Sequence, residues 1–510
     1  MSRTKQSIKN ASFSLICQGV QLVFQLITRV FFIRIIGREY LGLNGLFTDL
    51  LTALQLVELG IGPAISFSLY KPLAENDKEK VKTIMNLFKK AYRIIGAVVF
   101  TLGLVFLPIY PYLIKDIPNI DNLNLIYMLF VFNTSISYFY SYYRTLLISD
   151  QKKYIDISIQ TGITLIYSIA QILTLYFTHN YIYYLLLQIC GTILINFIAS
   201  RIALKEYPYL KEKDVQKLDN HTSTEIKKNV LSMVFHKVGS IVRDSTDNLL
   251  ISKFIGLAIT GLYSNYSMIT KALSNIVNQI FAAVVSSVGN LHVTKSAKSQ
   301  RKVFYKINYI NFWIATFCAC CFGGLINSFI TIIADESYLL GIFVTASISL
   351  KFYLDVMRKT PWMFCEAAGI YWQGKTKPIW EVIVNLVVSV ILVKFIGMCG
   401  IFVGTIITIL TVDLTIEPYL AFKYVLKDKP TKYYKKYAMY LIIAVITYIV
   451  NFVICNSIGK SGIIWFIIKA IISVIIVNGM IIIFTFKTKE FKYVKKIIND
   501  YKNKILLKIK

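Results

Sequence analysis

The stretch RIIGREYLGL at residues 34–43 recurs as KFIGLAITGL at residues 253–262, with the basic residue, the Ile-Gly pair and the later Gly-Leu pair in register. The offset that relates Arg34 to Lys253 also relates Lys9 to Lys228. The two matches bracket one long apolar block in each half of the chain. We therefore predict that the chain contains two copies of one structural unit, and this spacing is called the repeat offset below.

The composition around these stretches indicates a lipid environment. Of the 510 residues, 56% are hydrophobic and only 16% are charged, whereas soluble domains are about 25% charged. A membrane-crossing helix needs about 20 apolar residues, and the apolar blocks lack the strict alternation of a barrel. The fold class is therefore predicted to be all-α, a polytopic membrane protein of about fourteen transmembrane helices. The predicted spans are 10–33, 40–69, 94–114, 123–148, 154–177, 182–201, 230–253, 258–289, 306–333, 339–357, 379–396, 399–420, 438–456 and 462–485.

The basic residues predict the orientation of the chain in the membrane. With a cytoplasmic amino terminus, the cytoplasmic segments hold 43 of the 56 lysines and arginines, and the outer segments hold 6. Membrane proteins show this bias because their basic loops stay in the cytoplasm. The net charge of +29 is spread over short segments between apolar blocks, so we expect no nucleic-acid partner. Both termini are predicted to be cytoplasmic.

The sequence contains no signature of a metal or nucleotide site. The eight cysteines lack metal-ligand spacing, and there is neither a P-loop nor a G-x-G-x-x-G motif. We therefore expect no metal, no cofactor and no ATP-driven transport by this chain alone.

The repeat divides the predicted spans into lobes. An even number of spans in each copy makes the copies parallel repeats, and a binding site is expected near their interface. The predicted parts are an N-terminal six-helix lobe at 1–201, a cytoplasmic linker at 202–229, a second six-helix lobe at 230–420, two additional transmembrane helices at 421–485 and a basic cytoplasmic tail at 486–510.

Ionisable residues inside the predicted spans are candidates for a functional site, because each costs roughly 2.5 to 3.5 kcal/mol at the centre of a helix. A polar stripe in span one ends at Arg29, and the repeat offset places Asp247 and Asn248 at the corresponding end of span seven's stripe. The polar face of span two carries Asp49 and Glu58. Such faces could also serve only to hydrogen-bond helices together, and that alternative stays open.

Four other ionisable residues lie near predicted span ends, where a long side chain can reach the headgroups without having a function. They are Arg358, Asp413, Glu417 and Lys469. We interpret them as snorkelling side chains. Arg358 would instead lie inside the membrane if the helix of span ten continues to Gly369.

Four stretches in combination resemble the polysaccharide-transport family of the multidrug/oligosaccharidyl-lipid/polysaccharide exporter superfamily. That family contains the flippases of O-antigen, capsule and exopolysaccharide repeat units. The stretches are RVFFIRIIGREYLGLNGLF (29–47), LQLVELGIGPAIS (54–66), YYRTLLISDQKKY (142–154) and KVGSIVRDSTDNLLISKFIGLAITGLYSNY (237–266). The resemblance implies two six-helix lobes arranged in a V, as in MATE transporters, plus two C-terminal helices.

The resemblance also implies a transporter rather than an enzyme, without catalytic residues, in the bacterial cytoplasmic membrane. Its substrate would be an oligosaccharide repeat unit linked by diphosphate to a polyprenyl lipid and moved from the inner to the outer leaflet by alternating access. The implied partners are this lipid-linked oligosaccharide, membrane lipids, and the polymerase and glycosyltransferases of the same pathway. The implied substrate-binding residues are Arg29, Arg144, Arg243 and Lys271. The residues implied to balance charge or carry a coupling ion are Asp49, Glu58, Asp244 and Asp247.

Two alternatives stay open. A cation-coupled multidrug exporter of the same superfamily would need an acidic, aromatic cavity, whereas the predicted lumen mixes basic and acidic residues. A membrane polymerase or ligase of the polysaccharide pathway usually needs a sizeable external loop, and a glycosyltransferase usually carries a D-x-D motif. The sequence contains neither feature.

The predicted orientation can be tested with single cysteines introduced into a chain whose own cysteines are replaced. A cysteine within 201–229 should react with an impermeant thiol reagent only from the cytoplasmic side, and one within 334–338 only from the outside. Labelling of both positions from the same side would show that the orientation or the span count is wrong.

Overall fold

The computed structural model describes residues 3–58, 61–115, 120–212, 245–370, 372–496 and 499–500. Every regular element within these ranges is helical, which confirms the all-α fold class. The first ten helices are α1 (Arg3–Ile35), α2 (Arg38–Leu54), α3 (Ile61–Ala74), α4 (Lys78–Phe106), α5 (Leu123–Ser137), α6 (Ser141–Ser149), α7 (Lys153–Thr178), α8 (Tyr181–Glu206), α9 (245–254) and α10 (Leu257–Thr294). The others are α11 (Ala297–Ile333), α12 (Ile342–Met357), α13 (Lys359–Ala367), α14 (Lys377–Ile396), α15 (Met398–Thr408), α16 (Leu414–Leu420), α17 (Thr431–Ser457), α18 (Ile463–Thr485) and α19 (489–496).

The chain forms two compact units, Met1–Ser264 and Asn265–Lys510, and the boundary falls inside α10. They are called the first and second unit below, and each is described by itself. The boundaries of the lobes, linker and tail given in the sequence analysis stay predictions.

Most of these helices are suited to a bilayer. In the described part of the chain, nine helices are long and apolar enough to cross a membrane, and the bent pair α5 and α6 makes ten. The protein is therefore a multi-pass membrane protein. The exact count of fourteen spans stays a prediction.

Two predicted spans are broken. In span four, α5 and α6 meet at an angle of 43°, and Tyr140 between them has a left-handed φ of 68°. Span ten breaks at Arg358, where α12 ends and α13 begins. Since α13 continues to Ala367 and Gly369 follows with a φ of 69°, the helix does continue towards Gly369 as considered from the sequence. The breaks matter because an arginine lies at or just after each of them.

Aromatic side chains form much of the core of both units. In the first unit, the ring of Phe47 meets those of Tyr110, Tyr127 and Phe130 edge-on, with centroids 5.2 to 5.6 Å apart. In the second unit, Phe304 is fully buried and packs edge-on against the rings of Phe364, Phe422 and Tyr433. Lipid supplies no hydrophobic drive between helices, so their association depends on such van der Waals packing.

Within the first unit, α2 and the start of α10 cross so closely that two glycines are required. A Cβ atom on Gly42 would overlap the carbonyl oxygen of Leu257, and one on Gly261 would overlap the carbonyl oxygen of Arg38. The repeat offset relates Arg38 to Leu257 and Gly42 to Gly261. The crossing is therefore reciprocal. Two copies of a sequence repeat related by a pseudo-two-fold axis produce such a crossing.

This crossing predicts the effect of two matched substitutions. Gly42→Ala and Gly261→Ala should each lower the melting temperature of the purified protein, because a clash with backbone costs about 1–3 kcal/mol or more. Gly162→Ala is the control, since a Cβ atom there meets nothing within 4 Å. Alanine at Gly162 should leave the melting temperature unchanged or raise it slightly. Equal melting temperatures for all three variants would contradict the close crossing.

Candidate functional site

A polar cavity of about 410 Å³ lies inside the first unit, among helices that are otherwise apolar. Two of the predicted site residues, Glu58 and Arg144, lie on its wall. Glu58 ends a short helical turn after α2, and the break between α5 and α6 places Arg144 in α6. The full wall consists of Gln55, Glu58, Tyr92, Ser137, Tyr138, Ser141, Arg144, Thr145, Ile148, Thr192, Ile195 and Asn196.

Arg144 forms a two-pronged ion pair with a carboxylate that the sequence analysis did not select. Its Nε lies 2.6 Å from Oδ1 of Asp156 and its Nη2 lies 3.4 Å from Oδ2. Its Nη1 also donates to Oδ1 of Asn196, at 3.5 Å. The side chain of Asp156 is only 5% exposed, against 23% for Arg144. The buried carboxylate thus neutralises the arginine and orients it towards the cavity.

Glu58 on the same wall accepts a hydrogen bond from the hydroxyl of Tyr92, at 2.9 Å. The charges of Arg144 and Asp156 cancel. Arg144, Asp156 and Glu58 together therefore carry one net negative charge. The other polar groups of the wall are hydroxyls and side-chain amides. Such a wall can exchange hydrogen bonds with a neutral polyhydroxylated group or with a cation, and it suits a free anion poorly.

Two further predicted residues, Arg29 and Asp49, each form a hydrogen bond near the crossing of α2 with α10. Arg29 donates to the hydroxyl of Ser264, and Asp49 accepts from Nδ2 of Asn248 at 2.7 Å. A Cβ atom on Gly45 would lie 3.4 Å from that amide nitrogen and 3.7 Å from Cβ of Ser264, so the two pairs are neighbours. The repeat offset relates Arg29 to Asn248 and Gly45 to Ser264. The repeat therefore brings these polar groups together reciprocally.

The remaining predicted residues lie elsewhere. Asp247 is buried and accepts from the hydroxyl of Tyr263 at 3.1 Å. Lys271 is exposed on α10, in the second unit. Arg243 and Asp244 lie outside the described residues. The structure thus places Glu58 and Arg144 on one cavity wall and Arg29 and Asp49 in two neighbouring hydrogen-bonded pairs, and the roles of all eight residues stay predictions.

The second unit contains a buried ionic cluster, called the Arg358 network below. Arg358 reaches four carboxylates, with nitrogen–oxygen distances of 3.7 Å to Asp355, 3.2 Å to Glu381, 3.0 Å to Asp413 and 2.7 Å to Glu417. The nitrogen of Lys377 reaches Glu381, Asp413 and Glu417 as well, at 3.4, 3.0 and 2.7 Å. The two cations of the network therefore share three carboxylates.

The interpretation of Arg358, Asp413 and Glu417 as snorkelling side chains is wrong. The side chains of Asp413 and Glu417 are 0% exposed, and both point into the Arg358 network. Lys469 does not snorkel either, because it is buried and donates to the hydroxyl of Ser328 at 3.1 Å. A position near a span end shows that a side chain could reach the headgroups, but only packing decides whether it does.

The helix that carries two of these carboxylates is irregular. A π-helical stretch, Ile409–Asp413, precedes α16, and a second one, Ala421–Leu426, follows it. Pro418 lies between them and cannot donate a backbone hydrogen bond. Single π-helical turns are rare and occur frequently at functional sites. With this irregular backbone, the carboxylates of Asp413 and Glu417 both contact Arg358 and Lys377.

The two units repeat one arrangement of charge. In the first, an arginine of the fourth predicted span meets a carboxylate of the fifth, Asp156, and a polar residue of the sixth, Asn196. In the second, Arg358 of the tenth span meets Glu381 of the eleventh and carboxylates of the twelfth. The first arrangement borders a cavity, whereas the second is packed closed by Lys377. Asp156 lies inside predicted span five, so the criterion of an ionisable residue within a span could have found it. Asn196 is uncharged and Lys377 precedes predicted span eleven, so that criterion could not select them.

The Arg358 network predicts the result of removing its shared cation. Arg358→Ala leaves buried carboxylates undercompensated and should destabilise the protein by roughly 3–5 kcal/mol. Arg358→Lys should recover part of that loss, because it keeps the charge without the guanidinium fork. Lys394→Ala is the matched control, an exposed cation on α14. Thermal unfolding in detergent measures all three, and an Arg358→Ala variant as stable as the control would restore the snorkelling interpretation.

Comparison with known proteins identifies the family. A family model described as "Polysaccharide biosynthesis protein" matches residues 7–286. No curated protein matches the chain. The match covers more than half of the chain, so the chain belongs to this family, and the resemblance found in the sequence is confirmed.

Solved structures show the fold. An inward-facing multidrug resistance MATE family transporter of the MOP superfamily matches with a TM-score of 0.63 at 14% identity, over 82% of this chain and 99% of that one. The lipid II flippase MurJ, in an inward closed conformation, matches with a TM-score of 0.60 at 15% identity, over 92% of this chain and 98% of that one. An outward-facing MATE transporter matches with a TM-score of 0.55 at 14% identity, over 83% and 96%. The chain is therefore a multi-pass membrane protein of the polysaccharide biosynthesis protein family, with the fold of MATE transporters and of MurJ.

Proposed function

We propose that the protein is a flippase that moves polyprenyl-diphosphate-linked oligosaccharide repeat units from the inner to the outer leaflet for O-antigen, capsule or exopolysaccharide synthesis. The observation that carries this proposal is the hydroxyl- and amide-lined cavity inside the first unit. A sugar hydroxyl that enters hydrocarbon without a hydrogen-bonding partner costs several kcal/mol. A polar cavity inside an apolar bundle removes that cost. Membership of the polysaccharide biosynthesis protein family indicates that the polar ligand is a sugar.

The charges of the cavity suggest a division of roles among the arginines. Arg144 is already engaged by both oxygens of Asp156, which a phosphate would have to displace. We therefore assign Arg144 and Glu58 to hydrogen bonds with sugar hydroxyls. Arg29, which donates to the hydroxyl of Ser264, is assigned to the diphosphate, together with Arg243 and Lys271. Arginine suits a phosphate because its planar fork donates two parallel hydrogen bonds and stays charged when buried.

The acidic residues and the location complete the proposal. Asp49, Asp244 and Asp247 would balance the charge of these cations or carry a coupling ion. The protein would act in the bacterial cytoplasmic membrane with both termini in the cytoplasm, as a transporter and not as an enzyme. The lipid-linked oligosaccharide would come from glycosyltransferases on one side and pass to a polymerase on the other.

One observation favours a second candidate, a cation-coupled multidrug exporter. The cavity has a net negative charge through Glu58, and the rings of Tyr92 and Tyr138 lie on its wall. An amphipathic cation would be attracted by the carboxylate of Glu58 and by cation–π contacts with these rings. The same purified protein can be assayed for both activities, so the two candidates are separable.

The proposal predicts transport by the purified full-length protein in liposomes. Lipid-linked oligosaccharide of the host, placed in one leaflet, should become accessible to a glycosidase on the other side faster than in protein-free liposomes. Movement of amphipathic cations without movement of the oligosaccharide would establish the exporter instead.

A pair of variants tests the proposed diphosphate site. Arg29→Ala should abolish surface polysaccharide in cells while leaving the amount of protein in the membrane unchanged, and Arg29→Lys should keep partial activity. Arg34→Ala, an exposed arginine at the end of the same helix, is the control and should keep full activity. Full activity of Arg29→Ala would remove Arg29 from the site.

A further inference from the structure

The second unit carries a strongly basic face at one end. It is formed by the start of α11, by the segment that joins the π-helical turns to α17, and by α19 with the residues before it. These segments contain sixteen lysines and arginines but only two carboxylates. Their ranges are 295–306, 421–437 and 486–496. The three ranges together are called the basic face below.

Contacts between side chains hold the first two segments together. Arg301 forms an ion pair with Asp428 at 2.8 Å, and it also donates to the backbone carbonyl of Lys427 at 3.4 Å. The ammonium group of Lys432 lies 5.2 Å from the centre of the Tyr305 ring. The start of α11 and the segment before α17 therefore form one surface.

The third segment, α19, is docked onto that surface by its apolar side. The ring of Phe491 stacks on Trp313 of α11, with centroids 6.3 Å apart and planes inclined by 15°. The ammonium group of Lys306 lies 3.6 Å from the centre of the Tyr493 ring. Val494 packs against the buried core of the second unit. One side of α19 is thereby occupied by protein.

The opposite side of α19 consists of lysines. Four of its residues are exposed and basic, at spacings of three, three and one: Lys489, Lys492, Lys495 and Lys496. The single carboxylate of α19, Glu490, forms an ion pair with Lys436. Since Asp428 is likewise paired with Arg301, neither carboxylate of the basic face offsets the charge of these lysines.

The basic face adjoins the ends of four helices that are apolar enough to cross a membrane, which is where lipid headgroups are expected. Each of its three segments adjoins the end of a helix apolar enough to cross a membrane, namely α11, the helix ending at Leu426, α17 and α18. Only three residues separate the end of α18 at Thr485 from α19, and the first of them, Phe486, is exposed. A helix with one apolar side and one lysine side, placed there, has the form of an interfacial helix.

We propose that this basic face binds anionic phospholipid headgroups, with the four exposed lysines of α19 as its principal contacts. Basic groups next to the membrane surface attract anionic lipids by about 1 kcal/mol each, and the attraction is screened by salt. An acidic protein or polymer would also be attracted, but the position of the face next to four apolar helix ends favours lipid. This inference depends on the protein spanning a membrane and does not depend on its substrate.

The test measures lipid binding to the full-length protein in detergent by native mass spectrometry. Phosphatidylglycerol is the anionic probe and phosphatidylcholine the neutral one. The wild-type protein should retain phosphatidylglycerol preferentially, and the preference should fall as ammonium acetate is raised. Replacement of Lys489, Lys492, Lys495 and Lys496 by glutamine should weaken phosphatidylglycerol binding on the order of tenfold or more, without changing the binding of phosphatidylcholine.

The control removes four exposed lysines of α3 and α4 in the first unit, namely Lys71, Lys78, Lys80 and Lys90. Their replacement by glutamine removes the same total charge and should change phosphatidylglycerol binding by about twofold at most. Equal losses in the two variants would show a response to net charge and would overturn the proposal. Unchanged phosphatidylglycerol binding in the α19 variant would also overturn it and would leave an acidic macromolecule as the partner of the face.

Discussion

The cost of an unpaired charge in hydrocarbon governs how the second unit is built. Asp413 and Glu417 are wholly buried, and burial of each ion costs several kcal/mol unless opposite charge and hydrogen bonds replace its water. Arg358 and Lys377 supply that compensation from two other helices. Because both cations touch the same three carboxylates, α13, α14 and the long helix that contains α16 cannot separate without exposing charge to lipid. The break at Arg358 and the π-helical turns around α16 are the backbone irregularities that make the contact geometry possible.

The same arrangement in the first unit has a different consequence. Arg144 meets a single carboxylate, Asp156, and no second cation closes the described space beside them, so a cavity of about 410 Å³ remains. Water or a polar ligand in that cavity can form hydrogen bonds with the charged groups of Glu58 and Arg144. In the Arg358 network, other protein side chains compensate the buried charges instead. One helical pattern thus serves a closed, stabilising cluster in one unit and an open polar wall in the other. This difference is why the first unit is the better candidate for contact with a sugar.

The reciprocal crossing of α2 with α10 connects the internal repeat to the candidate site. Gly42 and Gly261 let the two backbones touch, and the side chains just beyond them, Arg29 with Ser264 and Asp49 with Asn248, are brought together as a result. A larger residue at either glycine would separate the helices and with them these polar pairs. The glycine crossing and the neighbouring polar pairs of the candidate site therefore depend on each other. A substitution at either glycine should also disturb these polar pairs.

The sequence by itself determined the all-α membrane fold, because hydropathy is a sum over consecutive residues and needs no knowledge of their neighbours in space. It also predicted an internal repeat, whose offset relates Gly42 to Gly261, the two glycines of the reciprocal crossing. Only the tertiary structure decided which charges meet. Asp156 is recognisable as an ionisable residue inside a predicted span, but the sequence does not show which charge Asp156 or Lys377 contacts. Glu417 was interpreted as a snorkelling side chain for the same reason, because a helix's rotation about its axis is set by packing. That rotation decides whether a charge near a span end faces the headgroups or a partner 59 residues away, as Glu417 faces Arg358.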